Sequence, residues 1–391
     1  MERKGLRRKG FKTKRTEVWM TKGKAAAWLI CFALMLLGPG VVYFFARPYL
    51  NTENTENRQL AEMPSLSFDS LRGLSDSLQV FPALFNSFYN DHVPFRSQLI
   101  ELNSVLSVEL FGDSASDSVV LGKDNWLFYT DEESIEDYKG TNLYTQEELN
   151  LIRDNCLASR EYLEKRGIEF VVLIPSNKED IYSDNLPDYI TKRGELTRAQ
   201  QVVDCLRDAG IRVVYPREEL LEYSDEYDLY WHYDTHWNSL GAYIGAKALL
   251  EELGIQVPEV EELTITQDDF SGYDLAGMMN LRSYYEKNRP ADVNYTVSGY
   301  PTNNMTVLQA IDATELIYQS DAPDERRLFM VRDSFAGGMA PVLASNFSYT
   351  YMPHWNGFFE QSMIDEQQPD IFVYEVVERR LDILLTFRLS E

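Results

Sequence analysis

LFMVRDSFAGGMA, residues 328–340, joins an apolar run to an Asp-Ser pair and then to small, helix-compatible residues. A short strand with no polar alternation is one buried on both faces, as in a parallel sheet with helices above and below. The pattern recurs along the chain. EFVVLIP (169–175) reads as a strand, 195–209 as a helix ending before Gly210, and IRVVYP (211–216) as a second strand. A helix over 238–253 stops at Gly254, and 336–345 is helical after LFMVR. SYTYM (348–352), a helix over 358–367 and the strand DIFVYEV (370–376) complete the series. Strands alternating with helices predict an α/β fold built on a parallel sheet. Upstream, 145–166 is a helix whose Thr145 and Glu148 have capping-box spacing. SVVLGKDNWLFYT (118–130) reads as a hairpin around Gly-Lys-Asp-Asn. The section 255–325 lacks the rhythm and reads as an insertion of loops and small strands near the site.

In such a sheet, chemistry sits at the carboxyl ends of the strands. Ser334 would stand on the strand-to-helix turn, beside free N–H groups that favour an anion or a developing oxyanion. Asp-Ser before a helix is also ordinary N-cap chemistry. A second stretch, YWHYDTHWNS (230–239), holds two of the four histidines with Asp234 two residues before His236. It suits a turn leading into a helix near Asn238, with Trp237 as its anchor. It also suits half of a catalytic relay. A serine hydroxyl needs a base to take its proton, and histidine serves near neutral pH when a carboxylate fixes its tautomer. Chain order varies between such triads, so a serine far along the chain qualifies.

Asp234-Thr235-His236-Trp237, with Asn238 and Gly241 following, resembles the D-x-H-W motif of the SGNH-hydrolase-like proteins of alginate O-acetylation, and equally that of the DHHW family. Further blocks resemble theirs in the same order: ENRQLAEMP (56–64), FNSFYNDHVPFRSQL (85–99), LGKDNWLFY (121–129), LIPSNKEDIYSDNLP (173–187), VRDSF (331–335) and PDIFVYEVVERRL (369–381). The resemblance implies an SGNH-hydrolase-like, flavodoxin-like three-layer sandwich. It gives Ser334 the nucleophile role, His236 the base and Asp234 the orienting acid. Thr235 stands where the DHHW block has a second histidine. Arg-Asp-Ser replaces the Gly-Asp-Ser of common SGNH esterases and follows Asp-x-His, which implies a permuted motif order. The usual oxyanion donors are then unassigned, and Asn177, Lys178 and Arg332 are candidates by position, with Trp237 a further candidate for substrate contact. His232 reads as a supporting residue, and Glu375 and Glu378 as caps or partners of Arg379 or Arg380.

The chain has 391 residues and a net charge of −25. Residues 1–24 carry ten Lys/Arg and two acids, so the remainder is −33. Such a body disfavours nucleic acid, whose binding depends on neutralising phosphates. AAAWLICFALMLLGPGVVYFF (25–45) is uncharged and long enough to span a membrane. The basic flank before it sets the N-terminus inside and the body outside. The expected organisation is a basic cytoplasmic tail (1–24), a retained transmembrane anchor (25–45), a stalk (46–77) and an extracytoplasmic domain (78–391). Cys156 and Cys205 are either one disulfide or two buried thiols. No HExxH, P-loop or GxGxxG motif occurs, and neither metal nor cofactor is expected.

The leading expectation is an anchored serine O-acetyltransferase acting on a cell-surface or secreted polysaccharide through an acetyl-serine. The resemblance implies a polytopic membrane acyltransferase as donor-side partner. A carbohydrate acetylesterase would use the same residues with water as acceptor. A non-catalytic envelope polysaccharide-binding or scaffold protein would keep the fold and lose the chemistry.

Overall fold

The computed structural model describes residues 22–46, 48, 59–270, 272–311 and 314–390. Most of the expected basic tail, and residues 47 and 49–58 of the expected stalk, lie outside the described residues. The chain divides into two compact units, one reaching Leu99 and the other running from Ile100. In the first, Lys22–Ala46 is helical. Its segment Gly23–Ala46, 24 residues with mean hydropathy 2.3, is the one helix among the described residues long and apolar enough to cross a membrane. At 1.5 Å per residue it would extend about 36 Å, more than the roughly 30 Å of a hydrocarbon core. An anchor and a signal sequence both fit it. A second helix, Leu71–Asp91, begins inside the expected stalk because Ser70 caps it, its hydroxyl accepting from Gly73 N at 2.9 Å.

The second unit carries the α/β fold. In chain order its strands are β1 (Val119–Leu121), β2 (Leu127–Tyr129), β3 (Glu169–Leu173), β4 (Arg212–Val214), β5 (Thr264–Asp268), β6 (Asn294–Ser298), β7 (Thr306–Ile311), β8 (Glu315–Gln319), β9 (Arg327–Val331), β10 (Tyr349–Pro353) and β11 (Ile371–Glu375). β1 and β2 form the expected hairpin, turned by Asp124 and Asn125 at positive φ. The central sheet has the order β4-β3-β11-β9-β10-β8-β7. The first five strands are parallel and the last two pairings antiparallel. The expectation of a parallel sheet is therefore corrected to a mixed one. The second half of the supposed insertion supplies β7 and β8, which extend the sheet.

Strand periodicity assigns the layers. Val171, Leu173, Leu328, Met330, Ile371 and Val373 face one core, packed by the helices Ser239–Glu252 and Ala336–Ala344. Their neighbours Phe170, Val172, Phe329, Val331, Phe372 and Tyr374 face the opposite core, under the helices Gln146–Glu164 and Arg198–Asp208. Each strand is apolar on both sides because both sides are covered. The Thr145–Glu148 capping box forms at the first of those helices. The helix expected over 358–367 is shorter, Ser362–Gln367, following Gly357 at φ 79°. Cys156 and Cys205 are both free thiols.

Candidate active site

Because β3, β9 and β11 are parallel, their carboxyl ends open on one edge. There the chain presents Lys178, the 332–335 turn and Arg379. Asp333 holds the turn in place. Its carboxylate accepts from Phe335 N at 2.8 Å and from Val377 N at 2.9 Å, while its own amide donates to Glu375 at 2.6 Å. Burial, and then the charge of Asp333, push the Glu375 carboxyl well above its ordinary range. Glu375 therefore works inside the sheet end. Arg379 and Arg380 reach instead to Glu132, at 3.2 and 2.6 Å. Ser334 is left exposed at the apex of the turn.

The 230–238 loop comes from the other side. Tyr230 and Trp237 bridge as an antiparallel pair, and Trp231 N donates to His236 O at 3.2 Å. Asn238 caps the following helix, accepting from Leu240 N and Gly241 N. The Asp-x-His spacing then has a local cause. Asp234 Oδ1 folds back to the His236 amide at 3.0 Å, a side-chain turn across two residues, and the same oxygen accepts from His236 Nδ1 at 2.7 Å. The ring's Nε2 is 2.7 Å from Ser334 Oγ. Two segments 98 residues apart thus meet in one hydrogen-bonded line. Trp237 joins them again, its indole N–H donating to Phe335 O at 2.9 Å.

Electrostatics favour a charge-separated relay. Burial pushes the Asp234 carboxyl up, but the hydrogen bond and charge of His236 and two backbone N–H bonds together hold it down to about 2. For His236 burial acts downward, and the bond and charge of Asp234, with the charge of Asp274, more than offset it and raise the imidazole above 6.5. Asp274 is the residue that sequence reasoning missed. Its amide donates to Asp234 Oδ2 at 3.0 Å, its Oδ2 lies 3.7 Å from His236 Nδ1, and Thr235 donates to it from both N (2.8 Å) and Oγ1 (2.6 Å). Gly272 lets this segment lie on the loop, since a Cβ there would sit 2.3 Å from Asp234 Oδ2. Nothing in SGYDLAGMM marks Asp274 locally.

Asp234, His236 and Asp274 offer donor atoms within 4.8 Å of one another, a mixed carboxylate-imidazole set suited to a divalent ion. The hydrogen bonds above already engage Nδ1 and all four carboxylate oxygens, so an ion would have to displace them.

The other expected contact residues are placed differently. Trp237 and the oxyanion candidates Asn177, Lys178 and Arg332 are at most 3% exposed, and each is hydrogen-bonded inside the fold. Arg332 donates to Asp333 O at 3.0 Å, and Asn177 N donates to Glu378 at 2.9 Å. Lys178 sends its ammonium into the 230–238 loop, donating to the carbonyls of Trp231 (3.0 Å), His232 (3.3 Å) and Asp234 (2.7 Å). Burial pushes it down to about 8. His232 is a support as well, its ring centroid 4.2 Å from that of Trp126. Lys178→Met would keep the volume and orphan these carbonyls, each at about 1–3 kcal/mol. The expected result is a clear drop in the denaturant midpoint at unchanged m-value, together with loss of turnover.

Residues 119–312 match the family described as the SGNH hydrolase-like domain of the acetyltransferase AlgX. The match includes Asp234 and His236 and ends before Ser334. Two relatives are named probable alginate O-acetylase AlgJ. The Pseudomonas syringae protein is 29% identical over 44% of this chain and 42% of its own length. The Pseudomonas putida protein is 23% identical over 70% and 66%. The chain thus spans less than two thirds of the relatives' length. Among solved structures, a DHHW family protein from Eubacterium siraeum aligns over 70% of this chain and 99% of its own, at 15% identity and a TM-score of 0.48. By sequence, residues 119–312, just under half of the chain, are thus similar to the SGNH hydrolase-like domain of the acetyltransferase AlgX.

Proposed function

We propose that this chain is a membrane-anchored serine O-acetyltransferase that acetylates a polysaccharide outside the membrane, with Ser334, His236 and Asp234 as nucleophile, base and orienting acid. The observation that carries the reading is the continuous line Asp234–His236–Ser334, both links 2.7 Å. His236 Nε2 takes the hydroxyl proton as Ser334 Oγ bonds to the acetyl carbonyl carbon. The imidazolium returns that proton to the departing donor group, leaving acetyl-serine. A sugar hydroxyl then gives its proton to His236 and attacks, and Ser334 leaves as the protonated alcohol. Phe335 N and Gly337 N are already engaged, by Asp333 Oδ1 and Ser334 O. The Ser334 amide has no partner among the described residues, which leaves it to meet the oxyanion. The acetyl donor would come through a polytopic membrane acyltransferase, since acetyl-CoA is a cytoplasmic compound. The N-terminal helix would keep the body outside, following the basic residues before it.

Hydrolysis is the second reading, favoured by the exposure of Ser334 and the 24% exposure of the His236 side chain, which admit water. The two part on product. The full chain in detergent is given a chromogenic acetyl ester with and without an oligosaccharide. Acetylated oligosaccharide supports transfer, and free acetate alone in both arms supports the esterase.

A further inference from the structure

A cavity of about 260 Å³ lies beside the relay, between the two helices that follow its two halves. Ser239, three residues after His236, is on one wall and Gly338, four after Ser334, on the other. The walls approach closely because residue 338 has no side chain: a Cβ there would be 2.9 Å from Ala242 Cβ and 3.6 Å from Trp237 Nε1. The β5–β6 ladder closes the third side. Drug-sized ligands occupy roughly 300–1,000 Å³, so this space suits one ring of a longer ligand. Along the chain its lining begins three residues after His236 and four after Ser334.

The lining has a definite chemistry. Asp268 is fixed by Asn294 Nδ2 at 2.9 Å, Thr296 Oγ1 at 2.8 Å and Phe270 N at 3.0 Å. These bonds outweigh its slight burial and hold the carboxyl below its ordinary range, so it is an oriented, ionised acceptor. Asn294 is itself held, its Oδ1 accepting from Ser239 N and Oγ at 3.3 Å. The same lining carries an aromatic pair, Tyr300 against Tyr243 at 5.6 Å, with the Tyr243 hydroxyl tied to Pro258 O at 2.7 Å. A rigid carboxylate and aromatic rings lining one cavity match a pyranose, whose hydroxyl or ammonium rim donates while its C–H face lies on a ring. A uronate would bring a second carboxylate against Asp268, an unfavourable juxtaposition of like charges.

We propose that this cavity is an acceptor subsite for a carboxylate-free pyranose, a neutral or amino sugar neighbouring the unit acetylated at Ser334. The inference rests on the acetyltransfer reading for its biological sense, and its test does not. Full-length Ser334→Ala protein in detergent is titrated with tetramers of glucose, glucosamine and mannuronate, with the thermal midpoint of each variant as a folding control. Glucose or glucosamine tetramer should bind at least about tenfold tighter than mannuronate. Asp268→Asn should narrow that gap, and Tyr300→Leu should weaken the preferred tetramer in a protein of unchanged midpoint. Equal binding of all three, no binding, or a gap unmoved by both variants overturns the subsite. Ester hydrolysis by the wild type is followed in parallel. Ser334-dependent hydrolysis without sugar selectivity removes the subsite and keeps the enzyme. Selectivity without such hydrolysis removes the enzyme and keeps a sugar site.

Discussion

Ser334→Ala and His236→Ala should each lower kcat for acetyl release by about a million-fold, and the double variant should be no slower than either single. The reason is the shared proton. Ser334 Oγ is 2.7 Å from His236 Nε2, so under the proposed mechanism neither group would work without the other: a hydroxyl with no base stays protonated, and a base with no hydroxyl has nothing to activate. Residual turnover of about 10³–10⁴ over water would come from binding and oxyanion contacts alone. Kinetics on a chromogenic acetyl ester check this. Singles that multiply in the double variant, or a His236→Ala enzyme within tenfold of wild type, would show that the two residues do not act as a unit.

Both halves of the line were legible in the sequence, because each is a local signal. Asp-x-His requires only a two-residue turn, and VRDSF announces itself as the end of an apolar strand before small helical residues. The layers were legible too, since Phe170 to Leu173 and Ile371 to Tyr374 are apolar on both faces. What stayed hidden depends on pairing across long separations. β7 shows no alternation, with four exposed residues in its first five, because it is the sheet's last strand and has little to bury. Lys178 looked like a polar strand-end residue, and its role follows from three carbonyls more than 50 residues away. Asp274 was invisible for the same reason: its value lies in standing beside a ring that its own segment does not mention.

Asp234→Asn should lower kcat by about 10⁴, and Asp274→Asn far less, although both carboxylates face the same imidazole. Asp234 Oδ1 accepts from Nδ1 at 2.7 Å and so fixes the tautomer that leaves Nε2 free to take the Ser334 proton. An asparagine that turns its amide N–H toward Nδ1 makes that nitrogen the acceptor and puts the ring proton on Nε2, where it blocks the transfer. Asp274, 3.7 Å from Nδ1 with both oxygens already receiving Thr235 donors, cannot take over that bond. It acts through charge. His236 is raised above 6.5 by the bond and charge of Asp234 and, less, by Asp274. A raised value means the ring is protonated, and so unavailable as a base, at pH where an ordinary histidine is free. Wild-type kcat/KM should therefore climb with pH along an acid limb lying above 6.5. Removing the Asp274 charge should move that limb to lower pH with kcat on the plateau changed by less than about tenfold. The pH profiles of the two variants check the division of labour. A plateau loss in Asp274→Asn equal to that in Asp234→Asn would make Asp274 an orienting group, and an unmoved limb would remove it from the electrostatics of the relay.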